Sequence, residues 1–441
     1  MKQAIGWLSL LIFFTITESC SAPKVGQQAD TGYINGDALP DAPELAPRGE
    51  YPVGVRTADF INKGQIDILK SKQGIDPLYD RQLKVEIWYP AQLSNNQKQI
   101  ATYEDVLGSP LDSTRPVVPF TFNGRAVRDA APDKQATYPL IIVSHGYPGS
   151  RVLLSYLTEN LASKGYVVVA IDHTESTHRD QAGFASTLLN RAKDILFVLN
   201  EIAGAGKPGS NSFLSGIVDA NNTALIGYSM GGYGVMNVAG AGYSDKLSGF
   251  FKMITAGSQA INVRTTNNNE FKASIDPRIK AVVAFAPWGM QRGIWDAEGL
   301  KGVKVPVFFV AGSQDDISGY EDGTRAMYTA AINADRYLLT YIDARHNTAP
   351  NPPPGLTMND SRFSADYYHY AEPAWDQRRI NNINQHFITA FLGMYLKQKE
   401  YAKFLELPEK SNAKNWTGFK PRSSVGLELI HSKAGNQEIK K

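Results

Sequence analysis

The chain has 441 residues, 43% hydrophobic and 20% charged, an ordinary globular composition with ample material for a core. Its formal net charge is +2 and no basic stripe runs along it, which argues against nucleic acid as a partner. The single cysteine, Cys20, excludes an intramolecular disulfide, so stability must come from burial.

Residues 1–20 read as a targeting segment. Lys2 supplies the charge, and Ala4 to Thr17 is an apolar stretch of about 14 residues, short for a bilayer span. Ser19-Cys20 with Ile16 upstream resembles a bacterial lipoprotein cleavage site, where the cysteine takes the lipid; Thr17 and Glu18 depart from that pattern. An ordinary secretory signal ending near a cysteine is the other reading. Either one exports the mature protein, whether to the periplasm, to the outer membrane as an anchored lipoprotein, or to the medium. Residues 21–50 are rich in Pro, Gly, Asp and Ala and read as a flexible tether.

Pro52 to Phe60 alternates loosely. Gln82 to Tyr89 alternates cleanly, with Leu83, Val85 and Ile87 on one face, so the two runs predict an antiparallel edge. Residues 92–138 are polar and Pro-containing and read as a long surface loop. From Tyr138 the pattern changes to strand and helix in alternation. Leu140 to Val143 is a buried strand running into Ser144-His145-Gly146-Tyr147. Ser150 is the expected N-cap of a helix carrying Leu153, Leu154, Leu157 and Leu161 and stopped by Gly165. Tyr166 to Ile171 is the next strand, a helix follows at about 184–203, and Ala224 to Ile226 is a third strand.

Residues 241–278 hold Gly, Ser and an Asn run, and read as an insertion over or beside a site. Strands follow at Ala281 to Ala286, Val305 to Ala311 and Tyr337 to Ile342. A last helix at about 376–397 carries Ile380, Ile383, Phe387, Phe391 and Met394 as one stripe. Residues 408–441 are polar, with a strand-like Val425 to Ile430 that predicts a hairpin or a loose tail. One domain over 51–407 with a polar extension is thus expected. Continuous apolar strands separated by helices mean a mostly parallel sheet of about eight strands, with helices on both faces.

The chemistry centres on residues 223–240. A short apolar strand turns sharply through Gly227-Tyr228-Ser229-Met230-Gly231 into a small-residue helix. A serine at such a turn projects its hydroxyl above the sheet, and a Cβ at either flanking glycine would collide where strand and helix meet. Met230 opens the helix, so its free N–H points to where an oxyanion would form.

A serine hydroxyl needs a base, most naturally an imidazole oriented by a carboxylate. Among the seven histidines, His346 sits in the loop directly after the last strand. Asp315 lies three residues after Gly312, the turn position at the end of its strand, and its neighbour Asp316 is expected to point elsewhere. The order Ser229, Asp315, His346 is that of α/β-hydrolases. Tyr147, after the 140–143 strand, can supply the second oxyanion N–H. His145 is expected to brace that loop. His173 and His178 come too early to be the base, and His369, His386 and His431 read as surface or core polar residues. Asp172 reads as structural. No metal-ligand spacing, dinucleotide fingerprint or phosphate loop is present, so no metal or cofactor is expected.

SHGYPGSR, GYSMGG, APWG, GSQDD and ARH together resemble α/β-hydrolases of the dienelactone hydrolase and platelet-activating-factor acetylhydrolase group, to which bacterial cutinase-like polyester hydrolases are related. The likeness covers about residues 50–400. It implies an α/β-hydrolase fold, an oxyanion hole at Tyr147 and Met230, and Trp288 as an aromatic wall for the acyl group; a core tryptophan is the alternative for Trp288. The sequence departs from the cutinase-like pattern in lacking a cysteine pair, in the 241–278 insertion and in its long C-terminal segment. The expected activity is hydrolysis of small or polymeric carboxylic esters by Ser229, His346 and Asp315 through an acyl-enzyme. A serine peptidase with the same triad and an inactive surface binding protein are the rivals.

Overall fold

A computed structural model describes residues 32–94, 97–358, 360–411 and 416–436. The chain divides into Met1–Tyr33 and Ile34–Lys441. The expected signal segment and Cys20 lie outside the described residues.

The strands are β1 (Val53–Ile66), β2 (Leu78–Gln92), β3 (Ala101–Leu107), β4 (Val118–Gly124), β5 (Val127–Arg128), β6 (Ala131–Pro132), β7 (Tyr138–Ser144), β8 (Val167–Asp172), β9 (Val218–Tyr228), β10 (Ile279–Phe285), β11 (Val307–Gly312), β12 (Arg336–Tyr341) and β13 (Leu427–Ser432). The main helices are α1 (Ser155–Ser163), α2 (Phe184–Ala205), α3 (Met230–Val238) and α4 (Asp245–Ile254). Four short helices follow, α5 (Asn269–Ala273), α6 (Ala297–Leu300), α7 (Arg325–Ala330) and α8 (Ser364–Tyr367), before the long α9 (Gln377–Lys397).

The sheet has eleven strands in the order β13-β12-β11-β10-β9-β7-β8-β2-β1-β5, with β6 beside β2. The run from β12 through β8 is parallel, and β2 and β13 flank it antiparallel. Pleating sends alternate side chains of the buried runs to opposite faces. On β7, Leu140 and Ile142 enter the core beneath α2 and α3, whereas Ile141 and Val143 enter the core beneath α1 and α9. On α9, Ile380, Ile383, Phe387 and Phe391 form the buried stripe and Met394 sits at its margin.

β7 pairs with β8 on one side and β9 on the other, so the chain reverses its direction of travel across the sheet at β7. Loops leaving β7 and β9 at their carboxyl ends therefore lie side by side, the position where open α/β sheets bind ligands.

Five expectations are corrected. The sheet is wider than eight strands because short edge strands join it. Residues 92–138 are not a loop: β3 and β4 form an antiparallel hairpin, held to the body where Trp88 Nε1 donates to Tyr103 Oη at 2.7 Å. Over 34–50 the expected tether is docked: Leu39 N–H donates to Asn382 at 2.8 Å, Leu45 N–H to His386 at 3.1 Å, and Ala46 is fully buried. The end of the polar C-terminal extension supplies β13, paired along β12. Ser150 does not cap α1, which starts later; its hydroxyl donates to Asp105 at 2.6 Å.

Candidate active site

The chain enters the site through β9. Ser229 takes φ 53° and ψ −113°, a left-handed conformation costly for a non-glycine residue. The packing that enforces it is tight. A Cβ on Gly227 would lie 2.3 Å from the Gly231 carbonyl oxygen, and one on Gly231 would lie 1.9 Å from that of Ser144. The Ser229 backbone is tied on both sides, its N–H to Phe285 at 2.9 Å and its C=O to the Trp288 N–H at 3.1 Å.

Three side chains from three strand ends converge. His346 Nε2 lies 2.9 Å from Ser229 Oγ. His346 Nδ1 lies 3.0 Å from each carboxylate oxygen of Asp315. Asp315 also accepts the N–H groups of Ile317 at 2.9 Å and Ser318 at 2.8 Å, which aims its carboxylate inward. Asp316 turns outward and pairs with Arg345. All three converging residues are buried: Ser229, Asp315 and His346 expose 7%, 6% and 8% of their surface. An imidazole between a hydroxyl and a carboxylate can remove the hydroxyl proton while the carboxylate stabilises the imidazolium that results.

Met230 is the first residue of α3, where an N–H has no intrahelical acceptor. Tyr147 follows Gly146, where an added Cβ would lie 3.1 Å from the Tyr228 ring and 3.5 Å from Ser229 Cβ. A cavity of about 310 Å³ opens over the nucleophile, with Tyr147, Ser229, Ile317, His346, Tyr368 and His369 among its walls. Trp288 is not among them. Its ring is half-buried beside the Phe184 ring at 5.3 Å and the Tyr233 ring at 6.5 Å.

The comparisons with known proteins bear on the fold and the family likeness. A family model described as PET hydrolase-like matches residues 117–247. Cutinase 2 of Thermobifida cellulosilytica is 24% identical over 276 residues, spanning 61% of this chain and 80% of that protein. Cutinase cut1 of Thermobifida fusca is also 24% identical, over 61% of this chain and 66% of its own. A ferulic acid esterase from Streptomyces cinnamoneus has the same fold, with a TM-score of 0.55 at 20% identity over 89% of this chain and 100% of that one. The chain is an α/β-hydrolase related to the cutinase-like polyester hydrolases. Its reaction class is carboxylic ester hydrolysis.

Two charged braces flank the hydrolase site, and sequence reasoning missed both. The first is Glu372. Its carboxylate accepts the Arg345 N–H at 2.6 Å and also the Asn347 N–H, the backbone donors of the two residues that flank His346. Burial pushes its pKa above the ordinary value, while those N–H bonds and the nearby His346 pull the other way. The second is Arg191 on α2, fully buried. It donates to the His145 carbonyl, to the Gly146 carbonyl at 3.2 Å and to Ser176, so it clamps the loop that carries Tyr147. Beneath it Ser144, His173, Asp194 and Arg81 form a buried chain: Ser144 Oγ to His173 Nε2 at 2.8 Å, His173 Nδ1 to Asp194 at 2.9 Å, and Arg81 Nε to Asp194 at 2.8 Å.

The other histidines divide as follows. His145 Nδ1 lies 2.7 Å from the Gly146 carbonyl, and its Nε2 accepts the His173 N–H at 3.2 Å. His386 is core. His369 lines the cleft, 3.2 Å from His178 and 3.1 Å from the Pro148 carbonyl. Asp172 accepts the Arg151 backbone N–H and the Arg151 side chain, each at 2.6 Å. Among the described residues there is no cluster of three or more His, Cys, Asp or Glu that could hold a metal ion, and no helix is long and apolar enough to cross a membrane.

Proposed function

We propose that this hydrolase is an exported serine esterase in which Ser229 is the nucleophile, His346 the general base and acid, and Asp315 the group that orients it. The observation that carries the reading is the unbroken path from Ser229 Oγ to His346 at 2.9 Å and on to Asp315 at 3.0 Å. As Ser229 attacks the ester carbonyl, its proton passes to His346 Nε2. The oxyanion of the tetrahedral intermediate is held by the N–H groups of Tyr147 and Met230. Collapse expels the alcohol, which leaves with the proton from His346. Water then enters, gives a proton to the same nitrogen and attacks the acyl carbon; the Ser229 Oγ–acyl bond breaks as His346 returns the proton to Oγ, and the acid leaves.

The named activities of the similar proteins, cutinases and a ferulic acid esterase, support an apolar acyl or aromatic ester as substrate. Ile317 and Tyr147 give the cleft apolar walls in keeping with that. Trp288, expected as an aromatic wall for the acyl group, packs on Phe184, whose ring lies against Tyr147 of the cleft. Export rests on the segment before residue 21, and the lipid anchor on Cys20 within Ser19-Cys20.

The test is a panel of p-nitrophenyl and polymeric esters with the full chain and with Ser229→Ala. Turnover by the full chain, abolished in the variant with its fold intact by circular dichroism, is the expected result. A fluorophosphonate should label the full chain and not the variant. Unchanged turnover in Ser229→Ala removes the assignment.

A further inference from the structure

The insertion between β9 and β10 carries α4, which turns Leu247 and Phe251 into the core and leaves another face out. On that face Phe250 is 42% exposed, Met253 71% and Ile254 39%; across from it, on the short turn Ile68–Lys70, Leu69 is 41% exposed. So much exposed apolar surface in one place marks a binding site. Leu69, Phe184, Phe250, Ile254 and Ala256 line an open groove of about 400 Å³. Its two sides are fixed to each other. Asp76 accepts both Ser71 at 2.7 Å and Ser258 at 2.8 Å, and the Gly74 N–H donates to Ala256 at 3.1 Å. The groove is thus prebuilt.

One aromatic layer separates it from the nucleophile. The Phe184 ring on its floor lies 5.4 Å from the ring of Tyr147, a wall of the Ser229 cleft, and 5.3 Å from that of Trp288. The leaving alcohol must lie beside His346 Nε2, from which it takes its proton. His346 lines the cleft together with Ile317, Asn347 and Tyr368, and none of these four borders the groove, whereas Tyr147 of the same cleft packs on Phe184 of the groove. The half of the substrate that points away from His346 is the acyl half.

We propose that this groove is the subsite for the aliphatic acyl chain of a long-chain ester, passing over Phe184 from the ester carbon at Ser229. The proposal rests on Ser229 as the nucleophile. Leu69 and Phe250 are exposed enough for polar replacements to leave the fold undisturbed, so Leu69→Ser with Phe250→Ser is the chosen variant. Two measurements apply. The first is kcat/KM on p-nitrophenyl dodecanoate divided by kcat/KM on p-nitrophenyl acetate, below the micellar concentration. That ratio should fall about tenfold or more, the scale on which an apolar pocket distinguishes chain lengths. The second is calorimetric binding of dodecanoate to Ser229→Ala protein with and without the two groove substitutions, a readout that needs no turnover. Binding should weaken in step with the ratio. An unchanged ratio with unchanged dodecanoate binding overturns the subsite. So does a variant whose only change is release from a dimer or from a polyester film, which would give this face to a second copy or to a polymer surface. Absence of acetate turnover in the unsubstituted protein would instead sink the esterase reading, and the dodecanoate titration would still decide the groove.

Discussion

Replacing Glu372 separates the base from the loop that presents it. The carboxylate receives one N–H from each side of His346, so it fixes the peptide planes that set where the imidazole stands. Each such bond to a charged acceptor contributes about 1.5–3 kcal/mol net. Glu372→Gln keeps one carbonyl oxygen and turns an amide NH2 toward the other N–H, so one bond is lost and one buried donor is left unpaired. Glu372→Ala loses both. The loop keeps other ties: Asn347 Nδ2 donates to the carbonyls of Tyr368 at 2.7 Å and Ala371 at 3.0 Å, and Gln377 donates to the Asn347 carbonyl at 3.0 Å. The loop should therefore shift and not unravel.

A displacement near 1 Å in a catalytic group lowers rate on the order of a hundredfold. We expect kcat on p-nitrophenyl acetate to fall about tenfold in Glu372→Gln and about a hundredfold in Glu372→Ala, with KM nearly constant. Glu372→Asp, which reaches only one N–H, should fall between the full chain and Glu372→Ala. Fluorophosphonate labelling should slow in the same order. A Glu372→Ala protein with a lowered melting temperature and kcat within twofold of the parent would refute the reasoning, because the carboxylate would then serve stability alone.

Gly231→Ala should fail to accumulate as folded protein, since its Cβ would lie 1.9 Å from the Ser144 carbonyl oxygen; soluble, active Gly231→Ala on expression would contradict this packing. Arg191→Lys loses the planar fork that reaches two carbonyls and a hydroxyl together, so kcat should drop ten- to a hundredfold with little change in KM, and an unchanged kcat would free the Tyr147 loop from that clamp. Acid should destabilise the fold early. Burial, then the Arg191 charge, pulls His173 down to about 3, and burial, then Lys164, does the same to His386. Both native values lie below the free value of about 6.5, so the unfolded chain binds more protons and stability is complete only above that pH. As pH falls from about 6.5 toward 3, each group removes stability progressively, on the order of 1 kcal/mol per pH unit. Urea midpoints at pH 7, 6 and 5 should decline steeply, and equal midpoints would refute this.

The parallel core was legible because buried strands are continuous apolar runs and each ends at a turn with a chemical residue in it. Leu140 to Val143 and Ala281 to Phe285 can hardly be anything else. The β3/β4 hairpin was not legible. Its alternation passes through Tyr103 and Asp105, whose burial depends on hydroxyl and carboxylate partners elsewhere in the chain. Residues 34–50 escaped for a related reason, since their anchors are backbone N–H groups meeting side chains of α9 more than 340 residues away. Glu372 carries no local signal, being a lone acid between Ala371 and Pro373 in a stretch with no helical or strand periodicity. Arg191 does carry one: it shares the face of α2 with Leu188 and Ile195, and a cation within an apolar stripe has to have buried partners.

The halves of the site are held by different means, and this determines how each fails. Ser229 is set by backbone against backbone, with glycines at contacts no side chain can enter, so errors there are errors of folding. His346 and the Tyr147 loop are set by buried charges on flanking elements, Glu372 from beyond the last parallel strand and Arg191 from α2. A buried charge is costly to desolvate, and removing its partner is costlier than replacing the pair by apolar groups. Glu372 accepts two loop N–H groups beside His346, and Arg191 donates to two carbonyls of the Tyr147 loop and to the Ser176 hydroxyl. An apolar side chain of similar volume could fill either space, but it could not fix the angle of a peptide plane. Variants that swap each brace for a packed apolar residue leave those peptide groups unpaired, so they should lose about 1–3 kcal/mol of stability and remain slow even at temperatures where the fold is intact.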